Sequence, residues 1–476
     1  MGVVKNFTYN TILTLSSYIV GLLVFPYISR ILGVDNIGIV GFVDTTINYF
    51  VLFATLGINT VGIRSIAACG NDREKRSQVF SALIVWGFVF TVTVCIIYII
   101  AISTIPRLCE HKELYYIGLP KLLFTPFLIE WFYIGIENFK YITIRSIIIK
   151  ILYAVSVIVF VKDVDDLAVY FLLTSLVIVI SSLINIRYSK HFISLRLTNL
   201  KLKQYIKQIL SLGMFQILIS MYTIFNVMFL GFVSNDTEVG YYYTALKLFV
   251  IIIGFLIAFT SVMLPRMSSL LAENNKVSFN SMTIKSLNAL FTFCFPLLIG
   301  GTVLAPQIIW IMSGQGYAGA IVPMQIMMPL LLIVGFSQIN VIQVLIPMRK
   351  EKTLLIITTI VACVGVTLAF LLVPKYGAMG AAVVYFLSEC TQAVVGLIYS
   401  TRKKLFVFPI KTFIINFMYS IPYVLICWGT TKMNSSPINT LIMAIIICFL
   451  YFVFVQFKCI KNEMLINIVK TTLKRQ

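Results

Sequence analysis

Apolar stretches of about 20–26 residues follow one another along almost the whole chain, parted by short runs rich in Lys, Arg, Asn and Gly. A helix rises about 1.5 Å per residue, so each stretch is long enough to cross the roughly 30 Å hydrocarbon core of a bilayer. The pattern predicts spans 1 to 6 near residues 8–29, 38–63, 79–103, 114–138, 142–161 and 167–187. Spans 7 to 12 follow near 209–233, 239–264, 286–312, 322–346, 354–374 and 378–399, and spans 13 and 14 near 411–430 and 438–457. The expected fold is an all-α polytopic membrane protein of about fourteen transmembrane helices. These group into an N-lobe (1–190), a basic cytosolic linker (191–208), a C-lobe (209–400) and a last helix pair with a basic tail (401–476).

Composition agrees with a membrane protein: of 476 residues, 60% are hydrophobic and 11% charged. A net charge of +20 would suggest nucleic acid in a soluble protein. Here the basic residues sit in short runs between spans, as in cytosolic loops beside anionic lipid, so membrane lipids and no nucleic acid are the expected partners. Placing both termini in the cytosol puts about 29 of the 37 Lys and Arg on the inner side. Nine scattered Cys without a C-x-x-C motif, and only two His, leave no recognisable metal centre. The first apolar segment is too long for a cleavable leader and reads as an anchor.

Polar residues inside the spans stand out, because each is costly in lipid. Span 2 carries Asp44, Asn48, Thr55 and Asn59 as one stripe; span 7 carries Gln216, Ser220, Thr223 and Asn226; span 10 carries Ser337, Gln338, Asn340 and Gln343. Such stripes face either a neighbouring helix or a wet cavity. The stretch 129–146, IEWFYIGIENFKYITIRS, sets Glu130 and Glu137 two helical turns apart on one face, ahead of Lys140 and Arg145 at the cytosolic end. Either acid is a candidate for gating or ion coupling; Glu137 reads equally as a helix-end residue beside Lys140 at i+3. Lys247 lies roughly 12 Å into span 8, too deep to snorkel outward, and calls for a carboxylate or an anionic ligand. Asp44, Glu130 and Glu389 (span 12) are the candidate partners. Arg30 closes span 1 on the outer side and Arg64 closes span 2 on the inner side, each as an interface anchor or a cavity cation.

The halves repeat. RILGVDNIGIVGF (30–42) after span 1 and FLGFVSNDTEVGYYY (229–243) after span 7 each hold a glycine, a short acidic turn and a second glycine opening the next span. Six spans lie between them, so the repeat is parallel, the frame of many alternating-access transporters.

The stretches YNTILTLSSYIVGLLVFPYISRILGVDNIGIVGF, ATLGINTVGIRSIA, EWFYIGIENFKYITIRS, GYYYTALKL and VMLPRMSSL together resemble the Wzx-type flippases of the MOP exporter superfamily, relatives of MATE transporters and lipid II flippases. The resemblance implies two six-helix lobes around a central cationic cavity in the bacterial cytoplasmic membrane. It also implies transfer of undecaprenyl-diphosphate-linked oligosaccharide repeat units, as in O-antigen assembly, from the inner to the outer leaflet. The family's cations on spans 8 and 1 match Lys247 and Arg30, although a Lys on span 8 lacks the planar fork of Arg. Arg64 would add a third cation. Asn48, Asn59, Gln216, Asn226, Gln338 and Asn340, with Trp131, Tyr241 and Tyr242, would face the sugars. Proton or sodium entry at Asp44, Glu130, Glu137 or Glu389 would supply energy, with no other cofactor. A polysaccharide polymerase and a chain-length regulator are further expected partners.

Three rival readings differ in testable ways. A MATE-like cation-coupled antiporter would want a cavity of carboxylates and aromatics, against which Lys247 speaks. A membrane polymerase or glycosyltransferase needs a large outer loop with catalytic acids, and here the only acidic cluster outside is KDVDD at 162–166. A scaffold of the assembly complex needs no transport at all.

Overall fold

A computed structural model describes residues 2–195, 200–433 and 436–460. Arg196 and Leu197 of the basic linker and the tail basics through Arg475 lie outside the described residues. Helices make up nearly all of the described chain, and no strand occurs among the described residues. This follows from the solvent: in hydrocarbon a backbone amide finds no water, so the chain must satisfy its own hydrogen bonds within each segment. Nine described helices are long and apolar enough to cross a membrane, or eleven when two bent pairs are each taken as one span.

Several spans are broken, and each break has a local cause. The helix Gly2–Thr55 turns at Gly33 (φ 78°) and the helix Glu351–Arg402 turns at Gly377 (φ 52°). Only glycine holds such backbone angles without strain. Span 2 breaks after Thr55, where Gly57 is left-handed (φ 75°), and resumes as Ile58–Ala68. Span 4 runs as Lys112–Phe124, loses its register in a 3₁₀ turn, Thr125–Phe127, and restarts as Glu130–Gly135. Pro126 lacks the amide that would continue the helix. Spans 7 and 10 bend by 54° and 42°.

The break after Gly135 corrects one expectation. Glu137 sits at φ 58° in a turn before the helix Phe139–Phe160, so Glu130 and Glu137 do not share a helical face.

The chain forms two compact units, one of Met1–Thr244 with Thr358–Tyr385, the other of Ala245–Ile357 with Phe386–Gln476. In lipid, apolar side chains gain little by leaving one another's company, so helix association rests on close packing and interhelical hydrogen bonds. In the first unit Ile58, Val61, Phe80, Trp131 and Phe132 pack together, and Gly62 lies so close under Trp131 that a methyl group there would stand 2.3 Å from the ring. In the second unit Phe291 meets Phe408 and Phe413, and Cys427 packs on Leu304 and Ala444.

Candidate functional site

Two ion pairs lie at membrane depth in the first unit. Lys121 Nζ donates to Asp44 Oδ1 at 2.6 Å, and Asn48 Nδ2 donates to Asp44 Oδ2 at 3.0 Å. Two members of the span 2 stripe thus bond to each other, and Asp44 also meets a lysine of span 4, a residue the stripe pattern alone does not single out. The second pair is Glu130 with Arg145, whose guanidinium also donates to Asn185 Oδ1 and to Ser146 Oγ. The Asn185 amide in turn donates to the Leu128 carbonyl freed by the break in span 4. Arg145, read from the sequence as a marker of the cytosolic end, is 7% exposed and holds a broken helix in place.

Both helix breaks border one cavity of about 230 Å³, lined by Thr55, Asn59, Thr125, Pro126, Glu130 and Trp131 among others. Freed backbone and polar side chains at membrane depth are tolerated where they line a cavity or are buried in protein. Gln216 Oε1 accepts from the Gly57 amide at 3.2 Å, so the span 7 stripe ties down the break in span 2. Trp131, 4% exposed, contributes to the cavity wall with its ring packed over Gly62; Tyr242 (0%) is a core residue, which corrects its assignment to sugar contact, and Tyr241 is half-buried.

One end of the first unit, the one expected to face outward, is tied together by ion pairs and hydrogen bonds. Arg107, between spans 3 and 4, pairs with Asp236 at the start of span 8 and with Glu110, and its Nε donates to the Gly231 carbonyl at 2.8 Å. It lies 5.4 Å from the centre of the Phe42 ring, and His111 Nε2 is 3.5 Å from Asp236. Burial pushes the Asp236 carboxyl up, but His111 and Arg107 outweigh it and hold the group below the ordinary carboxylate range. Thr237 donates to Asp35 at 2.5 Å, and Glu238 accepts from the Ala378 amide at 2.6 Å. The repeated glycines explain the closeness. A methyl group on Gly38 would stand 1.8 Å from the Asp236 carbonyl oxygen, and one on Gly240 2.2 Å from that of Val34.

Arg30, Arg64 and Lys247 are exposed, as is Asn59. Glu137 accepts from Asn6 Nδ2 at 3.2 Å rather than pairing with Lys140, because the turn at φ 58° rotates it away from the helix. Asn226 is buried in the first unit. In the second unit Gln338 is half-buried, and Asn340 and Gln343 lie in a buried π-helical turn, Ile339–Leu345, with Ser400 donating to Asn340 at 2.8 Å. Glu389 is 5% exposed and meets no cation among the described residues. One residue the sequence reading passed over is Lys150 in span 5. Its ammonium donates to the Leu13 carbonyl at 3.2 Å and to Ser16 and Ser17 at 2.9 and 2.7 Å. A lysine amid IIIKILY was the available signal.

Broken helices, charges paired within apolar spans and one end tied by ion pairs define a multi-pass membrane protein of the kind that carries solutes across bilayers. The chain belongs to the family described as polysaccharide biosynthesis protein, which residues 3–271 match. Two relatives are named for O-antigen transport. The one from Escherichia coli (strain K12) is 27% identical over 411 residues, 85% of this chain and 98% of its own length. The one from Shigella dysenteriae is 28% identical over 393 residues, 79% and 94% respectively. Among solved structures, a lipid II flippase MurJ in an inward closed conformation matches with a TM-score of 0.78 at 15% identity, covering 93% of this chain and 98% of that one. An inward-facing multidrug resistance MATE family transporter of the MOP superfamily matches at 0.65 and 16%, covering 82% and 94%. At such identities the two structures speak for the fold. The resemblance is borne out in family and in fold, and the chain is a multi-pass protein of the bacterial cytoplasmic membrane.

Proposed function

We propose that this protein is a flippase for lipid-linked polysaccharide repeat units, moving undecaprenyl-diphosphate-linked oligosaccharide from the inner to the outer leaflet by alternating access. The observation that carries the reading is nearly full-length kinship to relatives named for O-antigen transport, on a fold shared with a lipid II flippase. Those relatives are named as transporters and flippases, not as enzymes. The chemistry fits: a diphosphate and a chain of sugars cannot cross hydrocarbon unaided, whereas a polyprenyl tail is at home there.

Fourteen spans with both termini in the cytosol complete the proposal. Thr8–Thr55 and Glu351–Arg402, at 48 and 52 residues, are each long enough for two crossings and each turn at a glycine, while Asp236–Ala272 supplies one more. The lobes would be spans 1–6 and 7–12, with Lys247, Arg30 and Arg64 offsetting substrate charge. Proton or sodium entry would drive the cycle, with Glu389 the leading coupling residue because its buried carboxyl meets no cation among the described residues. Asp44 and Glu130 already have cationic partners. A polymerase and a chain-length regulator would act downstream.

The test is a vesicle assay. Purified protein in liposomes should expose fluorescent undecaprenyl-diphosphate oligosaccharide to an outside lectin, and collapsing the ion gradients should slow it. Transport of a cationic dye with no movement of the oligosaccharide would transfer the protein to the antiporter class.

A further inference from the structure

We infer that Lys150, with the hydroxyls of Ser16 and Ser17, forms an anion site at mid-membrane that takes the diphosphate of a lipid carrier; this rests on the flippase reading above. Lys150 is eleven residues from one end of the helix Phe139–Phe160 and ten from the other, about 15 Å from either end and so near the bilayer centre. All three ammonium protons are in use, yet every acceptor is neutral: the Leu13 carbonyl, Ser16 Oγ and Ser17 Oγ, at 3.2, 2.9 and 2.7 Å. Hydrogen bonds to neutral oxygens satisfy the donors but bring no counter-charge into contact, and a charge so placed is costly in a low-dielectric setting.

The same unit shows how a structural cation is treated. Lys121 has the Asp44 carboxylate and Arg145 has that of Glu130. Lys150 has no carboxylate within ion-pair reach among the described residues. If its role were to join span 1 to span 5, a neutral amide or hydroxyl would do the same at lower cost, as Thr143 does by donating to the Tyr9 carbonyl at 3.0 Å on the same pair of helices. A phosphate oxygen supplies what is missing, a negative charge, and a lysine binds phosphate as a compact point charge. Ser17 is exposed and Lys150 half-buried, which leaves the ammonium approachable from the edge of the span 1–span 5 seam.

Two kinds of lipid could bring a phosphate to this site, a polyprenyl diphosphate and an anionic phospholipid, and the site is assigned to the first. The test uses full-length wild type, Lys150→Gln and Lys150→Arg, titrated with undecaprenyl diphosphate and separately with phosphatidylglycerol, alongside the flipping assay and a melting curve. Lys150→Gln should weaken undecaprenyl diphosphate about tenfold, the loss of one charged hydrogen bond, and slow flipping in step, with melting nearly unchanged. Lys150→Arg should keep both. Equal diphosphate affinity in wild type and Lys150→Gln would overturn the site, and equal preference for phosphatidylglycerol would reassign it to bulk phospholipid. Should Lys150→Gln not fold, Ser16→Ala with Ser17→Ala carries the test: weakened diphosphate binding supports the site and unchanged binding overturns it. A wild type that binds undecaprenyl diphosphate but moves no oligosaccharide would sink the flippase reading while leaving the site standing.

Discussion

In the first unit, Asp44 and Glu130 lie at membrane depth against Lys121 and Arg145. In the second, buried polarity includes Asn340 with Ser400, Gln343 in its π-helical turn, and the carboxyl of Glu389 without a cation among the described residues. The two arrangements respond differently to change. A buried ion pair is strong only while both partners remain, because deleting one strands the other charge in a low dielectric. A network of amides and hydroxyls loses about one neutral hydrogen bond when cut, and a carboxyl without a counter-charge is free to change its protonation. Charge pairing thus ties down the first unit's breaks, while the second buries a carboxyl with no cation beside it among the described residues.

The sharpest way to break this comparison is to unpair one charge. Asp44→Asn should lower unfolding stability by about 3 kcal/mol, and adding Lys121→Met should recover most of the loss, because the stranded ammonium is then gone. Glu389→Gln should cost less than about 1 kcal/mol in the same melting experiment. Equal losses in the two units would end the distinction. Next in size, Gly38→Ala should destabilise the tied end of the first unit by about 2 kcal/mol through overpacking, since its new carbon meets the Asp236 carbonyl at 1.8 Å. Faster amide exchange around 231–240 is the readout.

Arg107→Ala should act in the same direction with about 1–2 kcal/mol and add a pH signature. The Asp236 carboxyl is held below its usual value near 3.8. Its contribution is therefore complete above that value and is lost as pH falls through the lower native one. Wild type should lose outer protection only in that acidic window, whereas Arg107→Ala should lack much of it at neutral pH. The smallest perturbation probes the second unit. Cys427 and Cys448 sulfurs are 3.7 Å apart, so a mild oxidant should join the tryptic peptides 412–432 and 433–458, each carrying one cysteine. Failure to crosslink would remove the packing of span 13 on span 14.

Spans are legible because a bilayer imposes one length and one polarity on every segment, and that rule is local. The glycines at 33, 38, 231 and 240 were likewise visible as a repeat, though only the fold shows Gly38 and Gly240 against the facing backbone. Partners were not legible. Lys121 and Lys150 are similar lysines in similar apolar runs, and nothing nearby in sequence says that one meets Asp44, 77 residues away, and the other meets Ser16 and Ser17, 134 and 133 residues away. Arg145 reads as an interface anchor until the break at 125–129 brings Glu130 and Asn185 to it.

The chain's own residues thus determine that it lives in a membrane, roughly where it crosses, and which family it joins, since these depend on hydropathy and local pattern. Which charges are paired, which aromatics are core and where the breaks meet in a cavity depend on helix-to-helix contacts between distant segments, which only the tertiary structure decides.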